Sequence, residues 1–169
     1  MRYNDALKEV QYDKIKKFAL IGEELYLKEQ FERYLISRHQ EATILSYYPG
    51  DELEIKNSLY TESIFDDRII VLRYLDQMKN KDFPNLIKDY DGYLLIILSE
   101  TANVKTPVLS SILSNATPVL CNKMSEYGSE YSSWISSHGS EKGYTFVDSS
   151  EEYLYQRVGP DLTTILTEM

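Results

Sequence analysis

A chain of 169 residues, 43% apolar and 27% charged, can bury one ordinary core, which excludes a disordered segment. A formal net charge of −9, with no basic cluster beyond "DKIKK", argues against nucleic acid as the main direct partner. The single Cys121 excludes an internal disulfide and fits a reducing cytoplasm, and the longest apolar runs are too short to cross a bilayer.

"DALKEVQYDKIKKF" reads as a short leading helix capped by Asn4, with "DKIKK" as its solvated end. From there strands and helices alternate. "KFALIG" is a strand, and "EELYLKEQFERYLISRH" is a helix with Leu27, Phe31, Tyr34 and Leu35 along one face. "ATILSYY" is a second strand, followed by the shorter helix "ELEIKNSLYTES" from a cap at Asp51. "DRIIVLRYL", "YLLIILS" and "TPVLCNK" are three more strands, separated by the helices "FPNLIKDY" and "TPVLSSILSN", the latter with Pro107 in its first turn. Continuous aliphatic runs mark strands buried on both faces, so residues 1–123 are expected to hold a five-stranded, parallel, doubly wound α/β sheet.

After Lys123 the composition turns to serine and glycine, and residues 124–169 read as a small helical domain. Ser149 with Glu152 forms a capping box, and Gly159 with Pro160 ends that helix. The last helix, "DLTTILTEM", stops without a cap, as expected of the front part of something longer. His39 and His138 stand alone at helix ends, so no metal site is expected.

Open α/β sheets place ligands at the carboxyl ends of their strands. Here those residues are Gly22, Glu23 and Glu24, then Tyr74 to Asp76, then Ser99 and Glu100, then Lys123. An active nucleotide triphosphatase needs G-x-x-x-x-G-K-[ST] after the first strand and an acid closing the third, and this chain has neither. Two glutamates after Gly22 would repel a triphosphate, so no cofactor is expected. A phosphoacceptor receiver domain matches in part: Glu23 and Glu24 as a magnesium site, Ser99 as a hydroxyl, Lys123 after the fifth strand and Asp76 as a displaced acceptor. A protein-binding scaffold of the same fold is the plainest alternative.

The ordered stretches "ALIGEELYLKEQFERYL", "YYPGDELEIKNSLYTESIFDDRIIVLRYLDQM", "YLLIILSE", "SSWISSH" and "RVGPDLTTILTEM" resemble the delta subunit of the bacterial DNA polymerase III clamp loader. The resemblance covers roughly nine tenths of the chain and rests on order and spacing. It implies a degenerate, nucleotide-free AAA+ module: a non-catalytic subunit that opens the DNA sliding clamp during replication. Its partners would be the clamp and the loader's ATPase subunits, with DNA reached only within the complex, in the cytoplasm and away from membranes. The family's clamp-binding positions correspond to Ser63, Ile64 and Phe65 in "TESIFDDR". Read without the family, Ile64 and Phe65 flanked by Glu62, Asp66 and Asp67 make either an apolar knob in a polar collar or part of the core beneath the sheet. The core is the plainer reading for Ile64; the resemblance implies the knob for both.

Overall fold

The computed structural model describes residues 1–61, 67–78, 82–124, 129–147 and 150–169, without the side chains of residues 129, 130 and 141. The chain divides into two compact units, Met1–Asn122 and Lys123–Met169.

The first unit is built on β1 (Lys17–Ile21), β2 (Thr43–Tyr47), β3 (Arg68–Arg73), β4 (Tyr93–Ile97) and β5 (Thr117–Leu120), all parallel, in the order β2-β3-β4-β1-β5. Helices α1 (Tyr3–Gln11), α2 (Leu25–Arg38), α3 (Glu52–Tyr60), α4 (Phe83–Asp89) and α5 (Pro107–Leu113) complete it. The three inner strands are apolar on both sides: Phe18 to Leu20, Ile69 to Leu72 and Leu94 to Ile96 are all fully buried. One face packs Ile70, Leu72, Leu94 and Ile96 beneath Ile55, Leu59, Leu86, Ile87, Leu109 and Ile112 of α3, α4 and α5. On the other, Phe18 meets Phe31 of α2 edge to face at 5.2 Å, and Phe31 meets Tyr3 of α1 at 6.1 Å. The outer strand β2 is different, with Thr43, Ile44 and Ser46 exposed.

The second unit holds α6 (Ser129–Glu141), α7 (Ser150–Val158) and α8 (Leu162–Glu168), with Tyr131, Ile135, Leu162 and Ile165 buried. Tyr131 packs edge to face on Tyr155 at 4.9 Å. Helix α7 ends at Gly159, whose N–H returns to Tyr155 O at 2.8 Å. Asp161 caps α8, accepting from the amide and the hydroxyl of Thr164, each at 2.7 Å. Ser149 of the expected capping box lies outside the described residues.

Three local expectations are corrected. Helix α1 starts at Tyr3 with Arg2 as its cap, so Asn4 lies inside the helix. The start moves because Met1 and Arg2 are drawn alongside β5, with Leu120 N–H donating to Met1 O at 3.1 Å. The "DKIKK" segment is not helical: α1 ends at Gln11, and Lys17 opens β1. Asp51 stands at the N-cap position of α3 but bonds backwards, accepting from Tyr48 N–H at 2.8 Å.

Candidate functional site

The carboxyl edge of the sheet is where a nucleotide would sit in this architecture. Between the end of β1 and the start of α2 lie only Gly22, Glu23 and Glu24. A phosphate cradle needs a longer glycine-rich loop with inward N–H groups. Here the loop is sewn onto the chain after β5: Cys121 N–H donates to Ile21 O at 2.6 Å, and Glu24 N–H donates to Cys121 O at 2.9 Å. Glu24 is only 4% exposed and caps α2, its Oε1 accepting from Tyr26 N–H at 3.1 Å. Its carboxylate thus takes the helix-end donor that an anion would use. Glu23 remains exposed.

Beside this loop lies a group that the amphipathic pattern concealed. Lys28 is 3% exposed, and its Nζ donates to Leu98 O at 2.8 Å, just past the end of β4. Burial pushes the pKa of its ammonium below the ordinary value, against the opposing pull of Cys121, Glu100, Asp76 and Glu23. The signal was present in the spacing, because Lys28, Phe31 and Leu35 fall on one helical face, but a lysine there reads as surface.

The third strand supplies no free acid. After Arg73 the backbone turns through Tyr74 in the left-handed region (φ 56°), whose N–H donates to Ile97 O at 2.6 Å. That turn carries Asp76 back toward β4. Its carboxylate accepts from Ser99 N–H at 2.8 Å and Ser99 Oγ at 2.5 Å. Arg73 is committed as well, pairing with Glu32 at 2.5 Å, bonding Ser46 Oγ at 3.2 Å and lying over the Tyr48 ring.

These positions overturn the receiver reading. A receiver's strand order is 2-1-3-4-5, which seats the third strand against the first. In this sheet β4 lies between them. Asp76 is held by Ser99, and Lys123 opens the second unit. Among the described residues no group of 3 or more His, Cys, Asp or Glu gathers as a metal site. His39 lies against the Tyr93 ring and His138 against Trp134, each at 4.1 Å. Ser63, Ile64 and Phe65 lie outside the described residues; Thr61 and Asp67 are the described positions nearest them on either side.

Burial pushes the Cys121 thiol from 9.0 up to about 12, with Lys28 opposing and Glu24 reinforcing the shift. A thiol held protonated in the fold contributes stability that is fully present below pH 9.0 and is lost as the pH rises through about 12. Lys28 works in the opposite sense, its burial cost being relieved as pH rises toward 10.5. Comparison with Cys121→Ala therefore isolates the thiol better than the wild-type profile does. In urea titrations under reductant, the advantage of wild type over the variant should shrink above pH 9 by at most about 1.4 kcal/mol per pH unit. A constant difference from pH 8 to pH 11 refutes this assignment.

No family model and no curated protein sequence matches the chain. Solved structures do. The Bacillus subtilis DNA clamp loader delta protein superposes with a TM-score of 0.71 at 14% identity, over 98% of this chain and 55% of that one. The Thermotoga maritima RuvB Holliday junction branch migration motor gives 0.62 at 12% identity, covering 98% and 58%. Domain III of the Thermotoga maritima replication initiation protein DnaA gives 0.56 at 11% identity, covering 98% and 78%. All three are AAA+ folds, and the likeness at these identities is one of fold. This chain spans little more than half the length of the first two.

Proposed function

We propose that this protein is a delta-type clamp-loader subunit that binds the DNA sliding clamp and stabilises its open form during replication, without catalysis of its own. The observation that carries this reading is the connection from β1 to α2. On a sheet that superposes on a branch migration motor, the chain's own Glu24 caps the helix end where this architecture would take phosphates, and the loop is bonded to Cys121. The superposition on a clamp-loader delta protein supports the same reading.

Opening a ring needs no catalytic residue on the subunit that holds it open. A ligand shifts a closed–open equilibrium by its difference in affinity for the two forms, so a surface that fits only the opened clamp is sufficient. Ile64 and Phe65, with Ser63 beside them, are the anchors. ATP then binds neighbouring subunits of the loader and sets the timing, and DNA is met only inside the assembly. The two-part organisation, an α/β clamp-binding domain followed by a small lid-like helical domain, belongs to the same proposal, as does a cytoplasmic location.

The test is calorimetric titration with the cognate sliding clamp, alongside a fluorescent ATP analogue with magnesium. Saturable clamp binding and no saturable nucleotide binding in the millimolar range are expected. Nucleotide binding at the start of α2 overturns the nucleotide-free reading. Absence of clamp binding by wild type leaves a scaffold of the same fold with another partner.

A further inference from the structure

The described chain leaves α3 at Thr61 and enters β3 through Asp67, and the last carbonyls of that helix need partners. Thr61 supplies one, its N–H and its hydroxyl both donating to Asn57 O, at 3.0 and 2.7 Å. The next carbonyl is answered from ten positions further on: the Arg68 guanidinium donates to Ser58 O at 2.8 Å. A cation suits that place, because the helix dipole leaves partial negative charge there.

The surroundings hold Arg68 in that role. Its guanidinium lies 6.0 Å from the centre of the nearly buried Tyr90 ring, and it opposes the upward push that burial gives the Tyr90 phenol. Asp67, Asp89 and Asp91 line the same cavity, yet among the described residues Arg68 forms no ion pair. A planar fork can lie against a tyrosine while one N–H reaches a carbonyl, which a lysine ammonium cannot match. Asp67 is fixed from the other side, its carbonyl accepting from Thr43 N–H at the start of β2 at 2.9 Å. Both ends of the stretch that carries Ile64 and Phe65 are therefore bonded into the fold. Arg68 also bonds them to each other, closing a loop over residues 58–68.

We propose that Arg68 is a positioning residue for the clamp anchors: by joining the end of α3 to the start of β3, it limits the arrangements open to the stretch that presents Ile64 and Phe65. The anchors and their partner rest on the function proposed above. The joint rests only on described bonds. Tying the ends of a short loop together removes, in the free protein, conformational freedom that binding would otherwise have to remove. A protein whose binding-competent form is only partly populated loses apparent affinity by that fraction, and the loss falls on association. Without the Arg68 bond the chain meets the clamp in a competent form less often, while a complex once made parts at its usual rate.

Two measurements on the full chain test this. Arg68→Met, which keeps an apolar stem and removes the donors, is set against Arg73→Met, which breaks the Glu32 pair at the other end of the same strand. In the first, amide hydrogen exchange is followed in the free protein. Faster exchange at Thr61 is expected in Arg68→Met, with wild-type exchange there in Arg73→Met. Unchanged exchange at Thr61 in Arg68→Met, or equal acceleration in both variants, overturns the joint. In the second, the kinetics of binding to the sliding clamp are measured. Association roughly five- to tenfold slower, with dissociation within about twofold of wild type, is expected for Arg68→Met, and wild-type rates for Arg73→Met. Unchanged association, or a loss confined to dissociation, overturns the positioning role and leaves the clamp-binding reading standing. Failure of wild type to bind the clamp overturns that reading and the anchors that Arg68 would position, while hydrogen exchange still decides the joint. If Arg68→Met does not fold, Arg68→Lys, which keeps a charge but loses the planar fork, is read in the same way.

Discussion

Replacing Ile64 and Phe65 together by serine is expected to weaken clamp binding by about 10²- to 10³-fold while leaving the fold intact. The magnitude follows from area: burying one aliphatic and one aromatic side chain is worth about 3 to 5 kcal/mol before the costs of ordering are subtracted. A few central apolar anchors carry most of an interface's energy, so the two serines should remove most of the measurable affinity. Calorimetry with the clamp measures the loss, and circular dichroism with a urea titration checks that the variant still folds. An affinity within threefold of wild type would remove both residues from the interface. A collapse in stability would instead place them in the core.

The second large effect concerns Gly22. Its φ is +128°, and a β-carbon built there would stand 2.2 Å from Cys121 O and 2.5 Å from Cys121 C. Backbone cannot swing aside as a side chain can, so Gly22→Ala must break the two hydrogen bonds that join Ile21 and Glu24 to Cys121. Strain, lost backbone bonds and a displaced α2 together should cost about 4 kcal/mol or more, a large share of the ~5 to 15 kcal/mol of a typical domain. Gly50→Ala is the control. Gly50 shares a positive φ of 113° but has nothing within 4 Å of its added carbon, so only about 1 to 2 kcal/mol is expected. Equal urea midpoints for the two variants would refute the packing argument.

Much of the architecture could be read from the chain because parallel strands buried on both faces write themselves as unbroken aliphatic runs. The expected strands "DRIIVLRYL" and "YLLIILS" contain β3 and β4, each running two residues past the strand's end, at Arg73 and at Ile97. Strand order could not be read that way. Alternating strands and helices are compatible with either sheet order, and only the pairing of β4 with β1 separates this sheet from a receiver's. Glycine followed at once by two glutamates was a real clue, because it left no residues for a phosphate loop. Lys28 escaped notice for a different reason: its carbonyl partner comes from Leu98, 70 residues away, and no local pattern reports such a contact. The start of α1 was missed likewise, since Arg2 is fixed by pairing with the distant Leu120 rather than by any capping side chain.

The outer strand β2 carries a wider consequence. Its five residues, Thr43–Tyr47, include no charge and no proline, the devices that ordinarily keep sheet margins from joining. What separates two such margins in solution is the formal surplus of nine negative charges on each molecule, a repulsion that reaches only about a Debye length. Colloidal behaviour should therefore follow ionic strength and pH more than fold stability. Concentrated stocks near the isoelectric point of about 4.8 are where ribbons of stacked molecules become the hazard.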